Sequence, residues 1–278
     1  MRPTLFSIGP LDFHSYTVFM AAAFLVAVLL AVRENYKREH PYPATPIIGI
    51  WIYLGALVGA KAYWIIQYDT WRHLHHAAVF WSSGLVFYGG LLGGSLAAIV
   101  YLKWRRIPLA SAGDIAMPYV ALAHGIARIG CFLNGCCWGT PSEMPWAVRY
   151  PSGTWVFRRH VESGLIEKTA EAAYPVHPTQ LYAVLGLLII FFVLRAVYKR
   201  PHPTGLVMLL YFLLYGGLRF VLEFFRGDSA RPVFGMTVSQ VIAGGLVLAS
   251  VGLWVLLQYS VWQKGGPPAA KEGEDVQG

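Results

Sequence analysis

Seven runs of apolar residues constrain this chain more than anything else in it: 16–33, 46–67, 85–103, 113–132, 178–198, 204–225 and 236–262. A helix rises about 1.5 Å per residue and the hydrocarbon core of a bilayer is about 30 Å thick, so each run can cross it. In lipid no water meets an open N–H or C=O, so only helices and closed barrels span; continuous apolar runs select helices. The expectation is an all-α integral membrane protein, a seven-transmembrane-helix bundle over residues 1–263, with an outer head loop over 134–176 and a disordered Gly/Pro-rich tail over 264–278. Composition agrees, with 56% hydrophobic and 13% charged residues and a mean hydropathy of +0.50. Met1–Pro10 lacks the basic, apolar, small-residue order of a cleavable signal, so none is expected.

Orientation follows from the short loops. Those after the first, third and fifth runs carry Arg33, Lys37, Arg38, Lys103, Arg105, Arg106, Arg195, Lys199 and Arg200, which marks them as cytoplasmic. The N-terminus and the long loop over 134–176 then face out, and the C-terminus faces in. The net charge of +8 resides largely in those loops, where the lipid bilayer explains it, and nucleic acid is excluded as a partner.

Ionisable residues within spans are the informative ones, because each costs about 2.5–3.5 kcal/mol at the bilayer centre and usually faces a wet cavity or the bundle interior. Lys61 falls in the second run, His124 and Arg128 in the fourth, and Arg219 and Glu223 in the sixth, with Arg226 just after it. Arg219, Glu223 and Arg226 stand at i, i+4, i+7 on one helical face, and His124, Arg128 and Cys131 repeat that spacing. In the expected topology His14, Tyr16, Tyr88, Arg128, His177, Gln180 and the Arg219–Arg226 ladder all lie toward the outer leaflet. One Arg–Glu pair is explained by simple helix fastening. Several guanidiniums around one carboxylate leave surplus positive charge, which suits an anionic phospholipid headgroup.

Read together in order, "IGPLDFHSY", "GALVGAKAYW", "GLVFYGGLLGG", Asp114, Pro118, "GIARIGCFLNGCCWG", "HPTQLY", "RFVLEFFRGD" and "TVSQ" resemble the bacterial prolipoprotein diacylglyceryl transferases over nearly the whole chain. The resemblance implies a seven-helix inner-membrane enzyme that moves the diacylglyceryl group of phosphatidylglycerol to the lipobox cysteine of a prolipoprotein signal peptide and releases glycerol phosphate, with no cofactor and no metal. It implies catalytic roles for Arg128, Arg219, Glu223 and Tyr16. Tyr88 and His124 join them as candidates, and Lys61, His14, Cys131, Asn134, Gly139, His177, Gln180 and Arg226 are the expected substrate-binding residues. The head loop, with Trp146, Arg149, Tyr150, Trp155, Arg158 and Arg159, resembles the family's periplasmic head; its aromatics equally suit a membrane-interface belt.

The sequence departs from that family at four places. Tyr88 stands where the family has histidine, Cys131 where it has asparagine, Cys136 where it has an acidic residue, and Ala183 where it has glutamate. His124, one turn before Arg128, would supply the imidazole Tyr88 lacks, or is a hydrogen-bonded core histidine. These departures leave two further readings open: a paralogue with another acceptor, and a non-catalytic phospholipid-binding protein. The three cysteines fit within seven residues and allow a Cys131–Cys136 bridge, a vicinal Cys136–Cys137 bridge, or free thiols. A functional Cys131 thiol beside Arg128 is a further alternative. "CxxxxCC" matches no zinc spacing, and a metal at "HLHH", residues 73–76, is a weaker idea than a solvated interface. The glycines of "GGLLGG" are expected to permit close helix packing.

Overall fold

A computed structural model of the chain describes residues 4–9, 11–38, 42, 45–67, 87–228 and 234–263. The "HLHH" run and the expected disordered tail lie outside the described residues. The chain opens with a hairpin absent from the all-α expectation, β1 (Thr4–Ile8) and β2 (Leu11–His14), in which Phe6 pairs with Phe13 and their rings stack 4.7 Å apart. The long helices that follow are α1 (Ser15–Asn35), α2 (Thr45–Gln67), α3 (Phe87–Trp104) and α4 (Leu109–Asn134). A short helix α5 (Trp155–Glu162) precedes α6 (Thr179–Tyr198), α7 (Leu206–Leu222) and α8 (Val238–Gln263), and one 3-10 turn, Glu223–Phe225, extends α7.

Each expected run contains a long helix, but among the described residues six helices, not seven, are long and apolar enough to cross a membrane. The exception is α3, whose 18 residues include four glycines and Tyr88, Tyr101, Lys103 and Trp104, which dilute its apolar character.

Contacts divide the chain into two compact units, one of the described residues up to Phe24 and from Met117 onward, the other of Leu25–Ala116. In the second unit α2 and α3 meet through glycine. A Cβ on Gly59 would stand 2.7 Å from the Cα of Gly93, so the backbones touch where any side chain would part them. Lipid offers no hydrophobic drive for helix association, and such close van der Waals contact replaces it.

In the first unit α4, α6 and α7 share a core of Ala121, Ile190, Leu194, Val207 and Tyr211, while α7 meets α8 where Gly216 faces Val247. Leu185, Phe192 and Leu248 are 63–74% exposed, as lipid-facing side chains are in a protein taken out of its bilayer. The head loop is better organised than its polar sequence suggests. Thr154 caps α5 by accepting from the Phe157 N–H, and Tyr150, Val156, Phe157, Ala173 and Val176 form a small core of its own. Burying each large apolar side chain there contributes about 1.5–3 kcal/mol.

Candidate functional site

The polar stripe of α4 begins with His124 and Arg128, one turn apart. The Arg128 guanidinium lies 3.3 Å from His124 Nε2, placed to donate to it, and the imidazole leans on the Tyr215 ring of α7 at 5.0 Å. No carboxylate pairs with Arg128 among the described residues.

Arg219 near the end of α7 is fixed from two sides, donating to Ser239 Oγ on α8 at 2.9 Å and standing 2.9 Å from Glu223 Oε2. Glu223 is 1% exposed and also lies 3.8 Å from Arg226. Arg226 in turn grips Asp228 with two parallel hydrogen bonds, Nε to Oδ1 at 2.9 Å and Nη2 to Oδ2 at 2.8 Å. Burial pushes the Asp228 carboxyl above the ordinary carboxylate range, against the pull of Arg226. Three guanidiniums against two carboxylates leave one unit of positive charge.

The three arginines, with His124 and Tyr215, open on one cavity, with about 370 Å³ of space free of protein atoms, its open mouth included. Its lining joins the polar and charged Arg128, Arg219, Arg226, His124 and Cys137 with the apolar Ala183 and Leu187 of α6 and Leu218 and Leu222 of α7, a mixture that matches an amphiphile. Gln180 also faces the cavity; its Nε2 donates to the Cys136 carbonyl at 2.6 Å and to Tyr150 Oη at 3.0 Å, while its buried Oε1 has no hydrogen-bond partner among the described residues.

The segment after α4 is stitched into place by backbone. Gly139 N donates to the His177 carbonyl, Thr140 N to the Phe225 carbonyl and Gly227 N to the Trp138 carbonyl. A Cβ on Gly139 would come within 2.6 Å of His177, so glycine is required there by the close approach of two chains. Gly139 is therefore a packing residue and does not line the cavity.

The remaining candidates scatter. Tyr16 lies on α1 against Gly130 of α4. Asn134 ends α4, and Cys131 is buried beside Cys136 and Cys137, all three as free thiols rather than in either bridge. His177 faces the Tyr182 hydroxyl, which accepts from Trp146 Nε1, and its ring meets Phe225; it does not line the cavity. His14 ends β2 on the surface. Tyr88 and Lys61 belong to the Leu25–Ala116 unit, Tyr88 58% exposed and Lys61 over the ring of Trp64. Tyr215, Ser239, Thr179 and Asp228 were not among the expected site residues, although the last three stand inside the motifs quoted above. Asp228 had a visible signal, an acid two residues beyond Arg226, whereas Tyr215 sits in an apolar run that marks nothing.

Comparison with known proteins agrees in one direction. The family model described as "Prolipoprotein diacylglyceryl transferase" matches residues 3–256. The phosphatidylglycerol–prolipoprotein diacylglyceryl transferase of Clostridium tetani (strain Massachusetts / E88) is 30% identical over 261 residues, 92% of this chain and 96% of that protein. The protein of the same name from Pasteurella multocida (strain Pm70) is 30% identical over 89% of this chain and 87% of its own length, and that of Bordetella avium (strain 197N) 30% over 91% and 94%. A match that takes in α1 through most of α8, and with them every arginine of the cavity, places this chain in the prolipoprotein diacylglyceryl transferase family of transferases.

Proposed function

We propose that this chain transfers the diacylglyceryl group of phosphatidylglycerol to the lipobox cysteine thiol of a prolipoprotein, at the periplasmic face of the bacterial inner membrane. The observation that carries the reading is Arg128, a half-buried guanidinium with no carboxylate partner among the described residues, facing the same cavity as Arg219 and Arg226. A phosphodiester bears one negative charge and cancels the one surplus charge of the site. Arg128 engages it by charge-assisted hydrogen bonds. The apolar Ala183, Leu187, Leu218 and Leu222 receive the acyl-bearing glycerol, and the free Gln180 Oε1 accepts from a headgroup hydroxyl.

In the transfer, the acceptor thiol loses its proton and its sulfur forms a bond to the glycerol carbon, while that carbon's bond to the phosphate oxygen breaks. Glycerol phosphate departs with the electron pair, and the proton lost by the thiol goes to a base or to the departing phosphate. Negative charge grows on that phosphate as the bond breaks, and preorganised guanidiniums lower the barrier there more than in the ground state. Glu223 acts as a positioning residue from behind Arg219. His124, with an imidazole nitrogen toward Arg128, orients that guanidinium and, as the histidine among the cavity's lining residues, is our choice for the base.

Proteoliposomes holding the full-length protein, acyl-labelled phosphatidylglycerol and a lipobox peptide test this. The expected product is a labelled thioether peptide with stoichiometric glycerol phosphate. Glycerol phosphate without peptide label assigns the site to another acceptor, and neither product refutes the transferase reading.

A further inference from the structure

The turn that ends α4 gathers three thiols at one point, and its backbone explains how. Gly135 N donates to the Phe132 carbonyl and Cys136 N to the Cys131 carbonyl, with Gly135 at φ +71°. This is a Schellman ending, which brings the side chains at its two ends, here Cys131 and Cys136, into contact. Cys137 follows at φ +61°, a left-handed conformation that costs a residue other than glycine about 1–3 kcal/mol. It is held there because Gln180 Nε2 binds the Cys136 carbonyl at 2.6 Å and Thr179 Oγ1 binds the Cys137 carbonyl at 2.7 Å. The three Sγ atoms all lie within 4.8 Å of one another, and none is in a disulfide.

We infer that Cys131, Cys136 and Cys137 form a three-coordinate site for a soft monovalent d10 metal ion, Cu(I) by preference. Metal–sulfur bonds of about 2.3 Å in a trigonal plane put the sulfurs roughly 4 Å apart, within a small adjustment of the spacing found. Soft thiolates favour Cu(I), and a structural zinc takes four protein ligands, whereas the cluster of ligating side chains here has three members among the described residues. Binding releases three protons to solvent and yields a complex of net charge −2, beside the guanidiniums of Arg128 and Arg226, whose charges reach Cys137. No oxidant or reductant is consumed. Because Cys137 also lines the cavity, the loaded complex competes with phosphate for those arginines and inhibits transfer; that consequence, unlike the metal site, rests on the function proposed above.

The test loads anaerobic, fully reduced full-length protein in detergent with Cu(I) and challenges it with a colorimetric Cu(I) chelator. One copper per chain is expected to be retained, falling at least tenfold in C136S and in C137S. If wild type yields copper as readily as the C131S/C136S/C137S triple variant, the site does not exist. Should the variants misfold, maleimide labelling of wild type decides: copper is expected to protect Cys136 and Cys137, which are partly exposed, and unchanged labelling refutes the proposal. Copper X-ray absorption is expected to show three sulfur neighbours, and two or fewer refutes trithiolate binding. Metal retention without inhibition of transfer would leave the site standing and overturn only its link to the phosphate-binding arginines.

Discussion

Glu223 Oε2 lies 2.9 Å from the Arg219 guanidinium while the carboxylate as a whole is 1% exposed and has no well-aligned hydrogen-bond partner among the described residues. The pair is thus held by charge more than by hydrogen-bond geometry. Removing one partner of such a buried pair costs about 3–5 kcal/mol, since the other charge is left uncompensated. Glu223→Gln keeps the shape and removes the charge, so the expected outcome is a fall of roughly a hundredfold in kcat/KM for transfer, together with a lower melting temperature in detergent. Ser239→Ala removes one hydrogen bond from Arg219 and is expected to cost about 1 kcal/mol, near fivefold, in the same assay. Equal effects of the two variants would contradict the charge-based account.

How much of this was visible in the residues depends on the range of the interaction. The spans were legible because twenty apolar residues in a row have one outcome in lipid, and the run 113–132 lies inside α4. The ladder was legible in part: helical spacing brings Arg219 to Glu223, but the α-helix ends at Leu222 and Arg226 is extended after a 3-10 turn, so that turn and not one helical face brings it within 3.8 Å of Glu223. The glycine contact of α2 and α3 was legible as small residues four apart. The hairpin before α1 was not, because eleven residues around Gly9 carry too little pattern to compete with the apolar run that follows. The thiol cluster was not either. It depends on a left-handed Cys137, secured by Thr179 and Gln180 more than forty positions away, and no local spacing encodes that. Tyr215 escaped for a related reason, since only the packing of α7 on α4 brings it to His124.

Arg128 is expected to tolerate no other cation. Lysine keeps the charge but loses the planar fork that presents two donors to one phosphate, and it loses the geometry that now meets His124 Nε2 at 3.3 Å. A charge-assisted hydrogen bond contributes about 1.5–3 kcal/mol, so Arg128→Lys should lower kcat/KM by about 10- to 100-fold. His124→Ala should cost less than Arg128→Lys if the imidazole only orients the guanidinium. A loss as great as that of Arg128→Ala, with a changed pH–rate profile, would make His124 the base. Steady-state transfer measured across pH in proteoliposomes separates the two.

The α2–α3 contact makes a stability prediction that does not involve the cavity. Gly59→Leu puts a side chain where even a Cβ would lie 2.7 Å from the Gly93 Cα, so the helices must part, and the expected result is poor accumulation in membranes and early thermal aggregation. Gly252 on α8 has open space around it, and Gly252→Ala should be neutral or stabilise by up to about 1 kcal/mol. Loss of stability in the second variant and none in the first would reverse the reading of which glycines are contacts.

His160 gives the head a dependence on acidity. It is buried on α5, its Nδ1 has no hydrogen-bond partner among the described residues, and burial holds its pKa below the ordinary histidine value. An unfolded head binds a proton at about pH 6.5, whereas the folded head resists binding one, so below that value the unfolded state takes up more protons. The stabilisation is therefore complete above about pH 6.5 and is lost as pH falls toward the folded value. Amide exchange of residues 150–176 should speed up between pH 7 and pH 5, after correction for the intrinsic rate, while exchange in α6 and α7 stays level. In His160→Phe, which fills the same apolar core without a titrating group, that acceleration should vanish; if it persists, another group governs the head.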